Sequence, residues 1–285
     1  STLVTELRES PQVLVIVNLK RHAHDLFQEL RDTGIEDALH LSTALCPLHR
    51  RAILMEVSER LKTRVPIRLV ATQCIEAGVD LDFPSVWRAL GPLDAIAQAA
   101  GRCNREGKRA LSPVRVFRPP EETGREYPGV AYEAAAQITS LLLTERGDLD
   151  INDPELYVAY FRRLYDLTGQ AELRKDLAQA FTEADYEQVA RHYRLIENNG
   201  VNVLVPWDPV RFHALLSQAR HFGVSGGWAR EAQRHAVNAA PRGDGWTHLE
   251  PLDGEDGEWF ALRDPSLYDP SSGLHLPDEQ AHWNI

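Results

Sequence analysis

The stretch Arg68-Leu-Val-Ala-Thr-Gln-Cys-Ile-Glu-Ala-Gly-Val-Asp-Leu-Asp82 passes from a short apolar run into a polar loop that contains a glycine. An uninterrupted run such as Leu69 to Thr72 suits a strand buried on both faces, as parallel sheets require. Upstream, Val13-Leu-Val-Ile-Val17 is a second such run, ended by Asn18 and followed by an amphipathic stretch from Lys20 to Leu30. Ala38 to Leu41 reads as another short strand. Pro47 opens a helix to about Leu61, with Ile53, Leu54, Val57 and Leu61 at core spacing. Downstream, Val86 to Leu90 and Val114 to Phe117 read as strands on either side of a helix from Leu93 to Ala100. Strands alternating with helices predict an open α/β sheet. In such sheets ligand groups gather outside the carboxyl ends of the strands. Asn18, Ser42, Thr43, Thr72, Gln73 and Gly91 all fall at those ends, so one polar rim is expected.

Two further segments carry chemistry. In Gln98-Ala-Ala-Gly-Arg-Cys-Asn-Arg-Glu-Gly107, Arg102 and Arg105 stand three apart behind a glycine at the end of a helix. On one helical face, two guanidinium groups could reach a single polyphosphate and neutralise charge on a transferred phosphoryl group. The other reading is a basic loop that solvates a helix end. In Leu41-Ser-Thr-Ala-Leu-Cys-Pro-Leu-His-Arg-Arg51, the residues His49, Arg50 and Arg51 lie just inside a helix start, where the dipole disfavours cations. Basic residues there point to an anionic partner, or else to pairing with nearby carboxylates. The hydroxyl and amide side chains of Asn18, Ser42, Thr43, Thr72 and Gln73 suit the phosphate oxygens of a single strand. Singly, each also serves as a turn former or cap.

Taken together, these three segments resemble motifs IV, V and VI of superfamily 2 helicases, and best the second RecA-like domain of the helicase-nuclease of type I CRISPR systems. The resemblance covers residues 11 to 118 strongly and the remainder only by position. It implies a RecA-like open, mostly parallel sheet flanked by helices, then a helical linker and a small mixed α+β C-terminal domain. By that reading residues 1–118 are the second RecA-like domain, 119–199 the linker and 200–285 the accessory domain. Arg102 and Arg105 correspond to the arginines that face a triphosphate held by the other RecA-like domain, with Gln98 orienting a finger or touching the phosphate. Gly78 and Asp80 correspond to the turn that approaches the nucleotide, where the carboxylate can hold a ribose hydroxyl or orient an arginine. The DNA-facing set is Asn18, Ser42, Thr43, His49, Arg50, Arg51, Thr72 and Gln73. Ala99 departs from the arginine common at its place in the wider superfamily, so two fingers are implied and no third.

Charge fits this division. The 285 residues carry a net charge of -11, yet residues 1 to 118 hold 17 Lys+Arg against 14 Asp+Glu, and residues 119 to 285 hold 14 against 28. A mildly basic part carries the motifs, and backbone binding needs local rather than global positive charge. No run of about 18 apolar residues and no signal-peptide pattern occurs, so a cytoplasmic chain with no membrane partner is expected. Three cysteines are too few and too scattered for a disulfide framework or a zinc knuckle. No metal site is expected. His24-Asp25 sits with His22 at the start of one short helix, without the separate His and Asp ligands of a two-metal phosphohydrolase. Asp278-Glu-Gln-Ala-His282 has one residue too many for a helicase acidic tetrad and follows a turn.

Beyond Pro119, helices are expected over 131–144, 154–167, 172–181 and 183–197, then a strand at Val201 to Val205 and a helix from Val210 to Phe222. The tail past Gly226 is turn-rich, with Trp228, Trp246, Trp259 and Trp283 as core anchors or base-stacking platforms. No G-x-x-x-x-G-K-[ST] occurs in the chain. The resemblance therefore implies half of a motor: ATP with magnesium held mainly by a first RecA-like domain missing here, and an isolated chain that is inactive. It further implies, as partners, that domain, a nuclease domain, single-stranded DNA and a Cascade-type surveillance complex. An excised fragment, a cleavage product and a split subunit fit equally. Two other classes stay open: a non-catalytic module that docks on a surveillance complex or partner lobe, and an α/β enzyme with Cys46 or Cys74 as nucleophile.

Overall fold

The computed structural model describes residues 2–76, 80–105, 107, 112, 114–119, 126–168, 175–192, 200–254 and 257–277. A short helix α1 (Thr2–Glu9) precedes β1 (Gln12–Ile16), α2 (Lys20–Asp32), β2 (Ala38–Leu41), α3 (Pro47–Thr63) and β3 (Ile67–Ala71). A 3-10 turn, Gln73–Ile75, leads towards β4 (Val86–Ala89), α4 (Leu93–Ala100) and β5 (Val114–Phe117). The five strands form one sheet in the order β2-β3-β1-β4-β5, every pair parallel. The expected α/β architecture is therefore present, and the chain ends of β1, β2, β3 and β4 share one edge.

The period-two alternation of the strands builds both faces. Val13, Val15 and Val17 pack with Leu26, Phe27 and Leu30 of α2, while Leu14 and Ile16 pack with Ile53 and Val57 of α3. Burial of both faces explains why the strands read as continuous apolar runs. Pro47 sits at the first turn of α3, where its missing N–H costs nothing, and Arg64 closes the helix in the left-handed region at φ 59°.

Helices α5 (Val130–Arg146), α6 (Pro154–Thr168), α7 (Lys175–Thr182) and α8 (Tyr186–His192) follow. Ile138 and Leu142 of α5 meet Leu156 and Tyr160 of α6 and Leu93 of α4, so this hairpin is fastened to the sheet lobe through α4. The expected helical stretches 172–174 and 193–197 lie outside the described residues. So do Gly78, Asp278 to His282 and Trp283.

A second sheet, ordered β7-β6-β9-β8, comprises β6 (Val201–Leu204), β7 (Ala236–Ala239), β8 (Leu249–Pro251) and β9 (Trp259–Leu262), joined by α9 (Pro209–Phe222) and α10 (Gly226–Ala232). It is mixed: β6 runs parallel to β9, and the other pairs are antiparallel. Asp208 caps α9 by accepting from the Arg211 amide at 3.0 Å. Trp228 and Trp259 meet edge to face at 5.0 Å in this core, so both act as anchors. A hairpin of β10 (Tyr268–Asp269) and β11 (Gly273–Leu274) closes the chain. No described helix is long and apolar enough to cross a membrane.

Candidate nucleotide and nucleic-acid interface

The polar rim forms as expected, but its side chains divide. Thr43 and Gln73 are half-buried, Arg50 likewise, and Arg51 is exposed. Asn18, Ser42, His49 and Thr72 are buried, at 1%, 0%, 1% and 5% exposure. Asn18 donates to the Leu90 carbonyl at 2.8 Å, and Ser42 Oγ accepts from the Ala44 amide at 3.1 Å. Thr72 Oγ1 faces Cys74 Sγ at 3.5 Å. These side chains shape the rim from beneath.

His49 departs furthest from its expected place. Its ring stacks on Trp207 at 3.5 Å, and Nδ1 lies 2.9 Å from the Tyr268 hydroxyl. Burial lowers its pKa to about 4, against the pull of Asp269, so at neutral pH it brings no charge to the start of α3. It belongs to a junction where the β10–β11 hairpin seats on the loop between β2 and α3. Leu274 donates to the Ala44 carbonyl at 2.9 Å, and the Cys46 amide donates to the Tyr268 hydroxyl at 3.2 Å. Gly273, at φ +91°, is required there, because a Cβ would meet the Ala44 oxygen. His24 also joins this junction, its ring 4.5 Å from that of His275. Burial pushes the thiols of Cys46 and Cys74 up, away from the thiolate that a nucleophile needs.

The arginine loop lies past the end of α4. The helix stops at Ala100, Gly101 caps it, and Asn104 turns the chain at φ 50°. The two arginines therefore do not share a helical face, and they diverge. Arg102 is 8% exposed and points inward, Nε donating to the Ile75 carbonyl at 3.3 Å and Nη2 to the Glu76 carbonyl at 2.6 Å. Burial lowers its pKa, reinforced by the neighbouring Arg105 and opposed by Asp80 and Glu76. Arg105 is exposed, and its Nε lies 3.2 Å from Asp80 Oδ1. The loop is fastened to the segment before β4: Phe83 donates to the Arg102 carbonyl at 2.9 Å, Asn104 to the Phe83 carbonyl at 3.1 Å, and the Arg105 amide to Asp82 at 2.7 Å. Gln98 is exposed on the last turn of α4.

A buried polar cluster behind the rim was not anticipated from the sequence. Arg88, in the middle of β4, has 0% exposure. Its Nη1 donates to Asn18 Oδ1 at 2.7 Å, its Nη2 to the Tyr132 hydroxyl at 2.8 Å, and its Nε lies 3.0 Å from Glu76 Oε1. That last contact is poorly aligned, so charge attraction rather than a hydrogen bond carries it. Burial pushes the Glu76 carboxyl up, and Arg88 opposes the shift. The signal was a lone arginine inside Val86-Trp-Arg-Ala-Leu90, since a charge in a doubly buried strand demands a partner.

Comparison with known proteins bears on this arrangement. The family model described as CRISPR-associated nuclease/helicase Cas3, C-terminal, matches residues 9–108. Residues 9–108 are thus similar to the C-terminal domain of Cas3. The match spans the parallel sheet up to β4, the rim and the arginine loop. The CRISPR-associated nuclease/helicase Cas3 of Haloferax volcanii is 48% identical over 66 residues, 23% of this chain and 7% of that protein. The T. fusca Cas3–ADP structure superposes with a TM-score of 0.65 at 19% identity, covering 96% of this chain and 40% of that one. A chain of a CRISPR RNA-guided surveillance complex, pre-nicking, superposes at 0.57 with 17% identity, covering 93% and 41%. These superpositions extend the shared fold beyond the matched residues 9–108 into helices α5 to α8 and the mixed sheet. The chain thus spans well under half the length of the relatives it matches.

Proposed function

We propose that the chain supplies the second motor lobe of an ATP-dependent, single-strand-translocating helicase within a type I CRISPR helicase-nuclease. The division into residues 1–118, 119–199 and 200–285 is part of this reading. The observation that carries it is the Asp80–Arg105 pair, held by the backbone bridge between Phe83 and the arginine loop inside a Cas3-like lobe. A carboxylate that holds an exposed guanidinium pre-aims it without quenching it, because the pair sits in high dielectric and opens at little cost.

In this reading Arg105 is the finger that reaches a triphosphate across a cleft, and Asp80 orients it. Arg102 holds the Ile75–Glu76 carbonyls and offers the phosphate only an edge, while Gln98 stands at the same end of α4. The donors here fit phosphate oxygens. The sequence holds no phosphate-binding loop motif, so magnesium and the bulk of the nucleotide would fall to the other lobe; bound ATP supplies the phosphoryl group. Thr43, Arg50, Arg51 and Gln73 form the DNA-facing rim, with Asn18, Ser42 and Thr72 supporting it from beneath. A surveillance complex that delivers the single strand is the partner this role requires.

The test is complementation. Mixed with a first RecA-like lobe that carries the phosphate-binding loop, the chain should produce DNA-stimulated ATP hydrolysis that neither part shows alone. Arg105→Ala should lower the rate by about 10³ to 10⁵. Activity that survives this substitution would remove the finger assignment.

A further inference from the structure

The Tyr132 hydroxyl stands where four elements meet. It accepts from Arg88 Nη2 of β4 at 2.8 Å and from Gln73 Nε2 of the 3-10 turn at 3.4 Å, and donates to Asn18 Oδ1 at the end of β1 at 3.0 Å. Gln73 Nε2 also donates to the Asn18 carbonyl at 3.1 Å. Tyr132 itself comes from α5, outside the sheet. Gly91 leaves room for its hydroxyl: a Cβ there would lie 2.9 Å from the oxygen and force one of the two to shift. Burial keeps the phenol protonated by pushing its pKa up, so its donor to Asn18 persists.

The same turn is gripped from the other side. Glu76 faces Arg88 with its carboxylate, and its carbonyl accepts from Arg102. Displacing the hydroxyl would leave Arg88 Nη2 buried without its acceptor and leave Gln73 Nε2 with the Asn18 carbonyl alone, at the start of the turn whose Ile75 and Glu76 carbonyls hold Arg102. Buried polar groups tolerate such losses poorly, so the cluster favours one arrangement or a distinctly different one over intermediates.

We propose that Tyr132 is a positioning residue: its hydroxyl ties α5 to the Gln73–Glu76 turn on which the Arg102 guanidinium rests, so that movement of α5 against the sheet reaches the arginine loop. The functional part of this proposal rests on the motor reading above. α5 leads into the helices that join the two sheets, so the latch links what happens along them to hydrolysis.

Tyr132→Phe keeps the ring and removes the hydroxyl, and Arg88→Lys keeps the charge for Glu76 but loses the fork to Asn18 and Tyr132. In the complemented motor, each should lower the DNA-stimulated kcat at least about fivefold while leaving KM for ATP within about twofold. The double variant should fall no further than the worse single, since both break one linkage. In the chain by itself, hydrogen exchange of Tyr132→Phe should quicken together in residues 130–140 and 72–76. An unchanged kcat, losses that multiply, or exchange that quickens in α5 alone would each overturn the latch. A wild-type mixture without ATP hydrolysis would sink the motor reading instead, and the exchange result would then decide the latch without it.

Discussion

Arg88 and Glu76 show how burial decides the weight of a charge pair. With side-chain exposures of 0% and 7%, the two charges have given up water and depend on each other and on Asn18 and Tyr132. Glu76→Ala should therefore cost about 3–5 kcal/mol in a denaturant titration, the usual penalty for leaving one partner of a buried pair alone. Removing the carboxylate of the exposed Arg60–Glu56 pair should hardly move the midpoint. Equal losses at both positions would show that the interior pair is solvated after all. Residue identity was legible in the sequence here, but partnership was not: Tyr132 lies 44 positions from Arg88, and nothing local connects them. The same limit applies on the rim. Strand ends place Asn18 and Ser42 at one edge, but only the packing above them turns their side chains inward.

Elements were legible in proportion to their length and pattern. The five strands of the parallel sheet read as short, mostly apolar runs, and α3 as a long periodic stretch behind a proline, so each appears within about two residues of its expected place. The motif segments were legible as segments, and the Asp80 carboxylate lies 3.2 Å from the Arg105 guanidinium. The shared helical face expected for Arg102 and Arg105 fails because α4 stops at Ala100, two residues before the first arginine. The C-terminal strands β7, β8, β10 and β11 run two to four residues, too short to show any period, and read as turns. His49 illustrates the consequence. As a helix-start residue it looked like an anion ligand; only the arrival of Trp207, from the loop after β6, and Tyr268, from β10, makes it a neutral, stacked core residue.

At the scale of the whole molecule, the junction between the parallel lobe and the β10–β11 hairpin gathers three histidines, His40, His49 and His275, whose pKa values burial lowers. Burial lowers His40 to about 3, helped by repulsion from His24, His275 and His49 and opposed by Asp269. Burial also lowers His275 and His49, each to about 4. Unfolded, each would titrate near 6.5. The folded state thus excludes protons that the unfolded state takes up, so this stabilisation is complete above pH 6.5 and declines as pH falls towards 4. The slope approaches about 1.4 kcal/mol per pH unit for each such histidine. Urea midpoints should drop steeply between pH 7 and pH 5, and His40→Leu should flatten the drop; a level midpoint over that range would contradict the junction described. The central claim, however, is that Arg105 acts on a phosphate held by another lobe, and the most direct measurement of it is the affinity of this chain for a separately made first RecA-like lobe. With ADP and aluminium fluoride standing in for the transferring phosphoryl group, that affinity should rise at least ~100-fold over ADP alone, and Arg105→Ala should abolish the gain. The same affinity with and without the analogue, or a gain that Arg105→Ala leaves intact, would contradict it.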